Sequence, residues 1–397
     1  MFWLEMILPT AHRPLPVMAV KVLLARSRSL AFFAKSFSQA MSIRATGRHP
    51  LICWNVCRIV VLPMPPEQPA PKVSVIIPNC NHARFLRQRM RSVLDQTYQD
   101  FEVAYLDDAS TDDSNQIIGE FLGDPRIRAL YNTSNSGTPF AQWNKGVALA
   151  RGEYVWIAES DDSADPRFLE KLVPVLDQCE AVGLVHCQFW MIDEKGEKKS
   201  DSDMWWRELD ASRWTHDFVS PGHEELKYLG CWNVISNASG VLFRKNVYVK
   251  VGGADEGMRL AGDWLLWMKM LLVSDVAFVA MPLNHWRWHP TTVRARSLHS
   301  RMEQEEIARV LRFYAKQTGI SPRAVQSTYH VRKGGHALAA GLPAVAIEHA
   351  CASVRLRPIE LSAWGVMIRA LLVWGRRVCH PRRLLTSIRS QLAHWPV

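Results

Sequence analysis

The sequence predicts an α/β protein with a mostly parallel β-sheet flanked by helices, followed by a helical C-terminal extension. Three observations carry this. Short β-branched, apolar runs recur between residues 73 and 158, as in strands buried on both faces. Helical segments lie between them, and strand, helix, strand in repetition demands right-handed crossovers and so a mainly parallel sheet. After Arg296 the apolar period becomes that of a helix: Ile307, Val310, Leu311 and Tyr314 fall at i, i+3, i+4 and i+7.

The elements follow in order. Val73 to Pro78 reads as the first strand, Ala83 to Gln96 as a helix, and Phe101 to Leu106 as a strand. A helix opened by Asp112 or Asp113 comes next, then a strand over Ile127 to Tyr131. Gln142 to Ala150 reads as a helix stopped by Gly152, and Tyr154 to Ala158 as a strand. Pro166 to Gln178 (helix) and Val182 to Phe189 (strand) continue the pattern, whereas 193 to 235 is irregular and holds Trp205, Trp206, Trp214 and Trp232. A strand over Gly240 to Phe243 leads to a helix from about Asp263 to Leu272, then to two strands, Val276 to Ala280 and Asn284 to Trp288. The C-terminal periodicity predicts a pair of helices, with Pro343 interrupting the spacing of Leu338, Leu342 and Val345.

Charge divides the chain into the same parts. Of the net +10, residues 1 to 72 carry +7 and residues 355 to 397 carry +7, which leaves the middle at −4. A mildly acidic body is not a groove built along nucleic acid, so no nucleic-acid partner is expected. Residues 1 to 72 read as a basic segment ending in a Pro-rich linker (Pro63, Pro65, Pro66, Pro69, Pro71), of a composition compatible with disorder. Residues 73 to 296 read as the main domain, and 297 to 397 as a helical region with a basic, amphipathic tail. No apolar run reaches the ~18 residues that cross a bilayer, and His12, Arg13, Lys21, Arg26 and Arg28 interrupt any signal peptide. The expectation is a cytoplasmic protein with reduced thiols, since the eight cysteines form no CxxC pair. Trp364, Ile368, Leu371 and Trp374 beside Arg369, Arg376 and Arg383 suit a helix on an anionic inner-membrane face. They suit equally a helix packed on the core.

Ligands of an open parallel sheet bind beyond the carboxyl ends of its strands. Those ends are acidic here: Asn79-Cys80-Asn81, then Asp107-Asp108-Ala109-Ser110, then Ser160-Asp161-Asp162. Converging carboxylates repel unless water screens them or a cation sits between them, and a hard divalent ion such as Mg²⁺ or Mn²⁺ bridging a diphosphate would answer that. Singly, Asp107, Asp108 and Asp112 also fit turn and cap roles. Neither a dinucleotide fingerprint nor a P-loop is present.

Val73 to Asn81, Leu106 to Asp112, and Asn144-Lys145-Gly146 through Gly152-Glu153-Tyr154 to Asp161-Asp162 resemble the nucleotide-binding half of family 2 inverting glycosyltransferases of the GT-A fold. The similarity runs to about residue 293. It implies a nucleotide-sugar donor, expected to be UDP-linked, with Asn81, Asp107, Asp108 and Asp161 on the nucleotide, and with Asp162 and His289 at a Mn²⁺ or Mg²⁺ ion. The segment Ala261-Gly262-Asp263-Trp264 resembles the family's acidic pair before a Trp-containing helix, with Gly-Asp in place of Glu-Asp. This makes Asp263 the candidate base, with Asp255 in reserve. His285-Trp286-Arg287-Trp288-His289 resembles the family's closing Arg-x-His. Cys80 stands where the family often has Tyr or His. The implied reaction is metal-dependent, inverting transfer to a hydroxyl of a glycan or lipid-linked acceptor. The alternative is an inactive nucleotide-binding scaffold of the same fold.

Overall fold

The computed structural model describes residues 2–6, 20–24, 69–201, 206, 209–210, 212–297 and 300–378. Met1–Pro69 forms one compact unit. Its described strands are an antiparallel pair, β1 (Phe2–Met6) and β2 (Val20–Leu24), in a stretch without a sustained period from which to expect them. Most of the proline-rich stretch lies outside the described residues.

Ala70–Val397 forms the second unit. Its centre is four parallel strands, β3 (Val73–Asn79), β4 (Phe101–Asp107), β5 (Ile127–Tyr131) and β6 (Tyr154–Ile157), with β3 between β6 and β4. Side chains alternate across the sheet, and each face has its own core. Val75, Ile77 and Trp156 pack against Leu86 and Met90 of helix α1 (Ala83–Leu94) and against Phe168 and Leu172 of α4 (Phe168–Gln178), which follows α2 (Ser114–Gly119) and α3 (Pro139–Leu149) in the sequence. Ile76, Val155 and Ile157 pack on the opposite face against Trp143 and Val147 of α3. Burial of each Leu or Met side chain stabilises by about 1.5–3 kcal/mol, which is what ties α1 to the sheet. Helix α3 begins earlier than expected because Thr138 caps it, accepting from the Phe140 N–H, with Pro139 at the first turn. Gly152 does more than stop that helix: a Cβ there would lie 2.6 Å from the Ser74 backbone nitrogen, so only glycine lets the chain pass β3.

The sheet continues through β7 (Ser163–Ala164), β8 (Val182–Ile192), β9 (Lys198–Asp201), β10 (Phe218–Ser220), β11 (Val241–Arg244) and β12 (Asp275–Arg287) into ten strands. The path β10-β12-β8-β11-β6-β3-β4-β5 is parallel at four of its seven pairings, and β11 runs antiparallel to both of its neighbours. Two strands were expected where β12 is one. Its pairing with β8 survives Pro282 because the register shifts on either side of that residue, and a bulge absorbs the missing N–H. The irregular lobe also contains α5 (Gly222–Leu229) and, after β11, a short α6 (Lys245–Lys250). Trp206 and Trp214 are stacked and buried in that lobe, so they fill it; Trp205 lies outside the described residues.

After α7 (Gly262–Leu271) and β12, a short α8 (Val293–Ser297) leads to four longer helices, one more than the expected pair and tail helix: α9 (Arg301–Thr318), α10 (Pro322–Ala339), α11 (Pro343–Leu356) and α12 (Leu361–Val378). Pro343 does not weaken a helix; it starts one, at the position where its missing N–H costs nothing. Ser300 caps α9 by accepting from the Glu303 N–H, and Gly319 ends it at φ 71°. Ala337, Ala346, Ala350, Val366 and Ala370 form a small separate core among the last three helices. Among the described residues no helix is long and apolar enough to cross a membrane.

Candidate functional site

The carboxyl ends of β3, β4 and β6 open into a cleft of about 470 Å³. Two non-glycine residues at its edge, Asn81 and Ala109, both have φ 58°, a left-handed conformation costing roughly 1–2 kcal/mol each. Side chains hold that strain in place. Asn81 Oδ1 accepts from the Thr111 N–H at 2.7 Å, and Asp112 accepts from the N–H groups of Ala83 and Ser114, joining the starts of α1 and α2.

The two acidic residues after β4 have different work. Asp107 does not line the cleft: it is buried, accepting from Asn79 Nδ2, the Tyr105 hydroxyl and the Ser110 N–H. Asp108 does line it, yet its oxygens already accept from Asn132, Gln142, and the N–H and hydroxyl of Ser136. That set uses about all the lone-pair directions of a carboxylate, so Asp108 fixes the 132–142 wall of the cleft.

The pair after β6 is also divided. Asp162 accepts from the Arg287 N–H at 2.8 Å and Asn237 Nδ2 at 3.0 Å, and lies 4.0 Å from the fully buried Arg89 guanidinium. Arg89 in turn donates to the Glu159 carbonyl and to Ser239. The cation needed between the carboxylates is therefore partly built in, at Arg89 and Arg287. Burial raises the Asp162 carboxyl, and the charge of Asp161 adds to that. Glu159, also on the cleft, is pushed up to about 8 by burial and the charge of Asp161, and accepts from Trp143 Nε1.

Asp161 faces the other way. Its Oδ2 lies 3.1 Å from His289 Nε2, and the ligand atoms of His82, Asp161 and His289 all fall within 4.8 Å of one another. His289 is fully buried, with Nδ1 held by Thr291 Oγ1 at 2.8 Å and by Arg84; His82 Nδ1 is paired to Ser160 Oγ at 2.8 Å. Burial lowers His82, favouring the neutral imidazole that binds metals. His82 is the residue sequence reasoning missed; a histidine ahead of a helix carries no signal until β12 brings His289 beside it.

Asp263 lines the cleft from the far side, in the first turn of α7. Oδ1 accepts from the Trp264 N–H at 2.6 Å and Oδ2 from Asn233 Nδ2 at 3.3 Å. Burial pushes its carboxyl up to about 6, against the opposing charge of Arg294. The loop before it is fixed by the C-terminal region: the Glu306 carboxylate on α9 accepts from the N–H groups of Arg259, Leu260 and Ala261 at 2.8–2.9 Å. Asp255, the reserve candidate, is outside the cleft and ion-paired to Arg309.

A parallel-centred sheet with a cleft at its strand tips has its ligand site where open α/β sheets bind their ligands, and here that site is acidic. Residues 74–248 match the family model described as Glycosyl transferase family 2. The chain thus carries a family 2 glycosyltransferase domain. An uncharacterized glycosyltransferase of Nostoc sp. is 38% identical over 117 residues, 29% of this chain and 36% of that relative. Glycosyltransferase GlyG of Streptococcus pneumoniae is 34% identical over 110 residues, 28% of this chain and 36% of the relative. An uncharacterized glycosyltransferase of Rickettsia typhi is 28% identical over 243 residues, 60% of this chain and 70% of the relative. The chain therefore spans about a third of the length of the first two. Among solved structures, S. aureus TarS 1–349 in complex with UDP-GlcNAc superposes with a TM-score of 0.54 at 16% identity, over 75% of this chain and 89% of that one, a likeness of fold.

Proposed function

We propose that the protein transfers a sugar from a nucleoside diphosphate sugar to a hydroxyl of a glycan or lipid-linked acceptor, with inversion. The observation carrying this is that Asp108, Asp161, Asp162 and Asp263 all line one cleft. Asp263 is the base: its carboxylate takes the proton of the attacking hydroxyl, whose oxygen forms the bond to the anomeric carbon as the bond to the diphosphate oxygen breaks. A uridine donor is favoured, since S. aureus TarS was solved with UDP-GlcNAc.

A divalent cation fits the His82, Asp161 and His289 donor set. One carboxylate and two imidazoles suit Mn²⁺ better than Mg²⁺, which prefers oxygen alone. The proposal keeps His289 and takes the carboxylate from Asp161, because Asp162 is committed to Arg287, Asn237 and Arg89. When bound, the ion supplies charge neutralisation for the leaving diphosphate. The protein's own part is to hold the ligands by Ser160 and Thr291 and to balance Asp162 internally. The test is release of UDP from a panel of UDP-sugars with and without Mn²⁺. Mn²⁺-dependent release is expected for at least one donor. UDP binding without turnover of any would favour the inactive scaffold instead.

The tail extends the proposal to a peripheral place on an anionic membrane. Helix α12 turns Ala363, Val366 and Ala370 to the bundle, while Leu361, Trp364, Ile368, Leu371 and Leu372 on its other side are exposed, Leu361 by 81%. Eight Arg against one Glu in residues 355–397 complement anionic lipid. The double substitution Ile368→Asp, Leu371→Asp in the full chain is expected to abolish co-flotation with phosphatidylglycerol vesicles. Unchanged partitioning would remove the membrane role.

A further inference from the structure

Asp263 follows a loop that is gripped from two sides. On the side of the 132–142 wall, Asn144 of α3 accepts from the Ala254 N–H and donates to the Ala254 carbonyl, both at 3.0 Å, and Thr138 Oγ1 donates to the Met258 carbonyl at 2.5 Å. Gly262 lies against the Phe140 ring with no room for a Cβ, and Phe140 lines the cleft. Helix α9 holds the other side. Glu306 Oε1 accepts from the Arg259 N–H at 2.8 Å, and Oε2 accepts from the N–H groups of Leu260 and Ala261 at 2.9 and 2.8 Å. One turn on, Arg309 pairs with Asp255 of the same loop. Ile307 of α9 and Tyr329 of α10 line a space of about 60 Å³ behind Asp263.

The Glu306 contacts are of a kind that sets geometry. Helix α7 has Ala261 at its N-cap and takes no cap from a side chain there. The N–H groups that lead into its first turn therefore need an acceptor from outside the helix. Glu306, only 7% exposed, gives one carboxylate to three of them. Bonds to an ionised acceptor are about twice as strong as neutral ones, and a negative charge suits a helix N-terminus. Glu306 itself lies outside the cleft lining, which includes Arg259, Leu260 and Asp263. Asp263 is two residues past Ala261, so a shift of the loop is a shift of the base.

We infer that Glu306 is a positioning residue for the base: α9 sets where Asp263 stands, so turnover depends on the C-terminal helices while donor binding does not. The inference rests on the transferase reading and gives the helical region a part in it. Asp108, Asp161 and His289 owe their places to contacts made before α8 begins, with Asn132, Gln142, Thr291 and each other. A reacting group misplaced by about 1 Å loses on the order of 10²-fold in rate, and the Glu306 bonds are what prevents such a shift at Asp263.

The test uses the full chain with Mn²⁺ and a UDP-sugar that the wild type turns over, read as steady-state release of UDP. Glu306→Ala is expected to lower kcat about 100-fold, with the donor KM and the UDP affinity within about threefold of wild type. Glu306→Gln keeps one acceptor oxygen, enough for Leu260 and Ala261 but not for Arg259, and is expected to recover about tenfold of that loss. A residue that only supported the fold would instead lower UDP affinity and melting temperature together with kcat, and the Gln variant would give no graded return. If Glu306→Ala melts below the assay temperature, Glu306→Gln against wild type carries the comparison. A kcat within about twofold of wild type in the variants, or UDP affinity falling in step with kcat, overturns the positioning role. Failure of the transferase reading would look different: the wild type itself would release UDP from no donor, and the inference would fall with it.

Discussion

Asp263→Asn is expected to lower sugar transfer by about 10²–10⁴-fold, the usual contribution of a positioned base. The wild-type pH profile gives the sign. With its carboxyl pushed up to about 6, the residue is ionised at neutral pH and protonated below. The pH dependence of kcat/KM should therefore be flat above about 6 and fall tenfold per unit beneath it, and the variant should lose that limb. Stability should move the other way. A carboxyl raised above its ordinary 3.8 binds its proton more tightly when folded, so stability is full below about 4 and declines as pH rises through 6. The cost at neutral pH is of the order of 3 kcal/mol, since each unit is about 1.4 kcal/mol. Asp263→Asn should thus melt higher than the wild type at pH 7 and equally at pH 4. An active Asn variant, or a profile that keeps its acid limb, would move the base elsewhere.

His82→Ala and His289→Ala are each expected to weaken Mn²⁺ activation by at least about 100-fold, because loss of even an outer partner of a metal ligand costs 10–100-fold. Asp162→Asn should behave differently. It removes the nearest of the carboxylates that balance Arg89, fully buried and 4.0 Å away, and breaking a buried pair destabilises by about 3–5 kcal/mol. Denaturant unfolding should register Asp162→Asn, and Mn²⁺ titration of activity should register the two histidines. If Mn²⁺ activation followed Asp162 and ignored His82, the carboxylate ligand would be Asp162 after all.

The contrast between Asp162 and Asp161 shows where the sequence stops being legible. Local chemistry carried far: the β-branched run from Val73 and the acidic tips after β4 and β6 were readable because each depends on neighbours in the chain, whereas the Asp263 segment was reached through its resemblance to family 2 glycosyltransferases. Side-chain alternation alone placed Ile76 on one face of the sheet and Val75 and Ile77 on the other. Strand tips also had to gather in one cleft, since parallel crossovers leave every carboxyl end on the same edge.

What the sequence could not give is the partner of each charge. Arg89 lies in α1 as one of several arginines, and only the packing of α1 against the loop after β6 makes it the buried counter-ion of Asp162. His82 and His289 are 207 positions apart and meet through the long pairing of β12 with β8, whose bulge at Pro282 sequence periodicity read as a break. Glu306 looks like any solvated glutamate of a helix until α9 docks, when it takes three backbone N–H groups of the loop that presents Asp263. The sequence by itself determined the sheet, its acidic edge and the residue types available for transfer, because strand pattern and turn chemistry are local. Tertiary structure alone decided which carboxylate is neutralised within the protein, which one joins two histidines, and which helices close the space behind Asp263. Those outcomes depend on distances between segments far apart in the chain, and no spacing of residues encodes them.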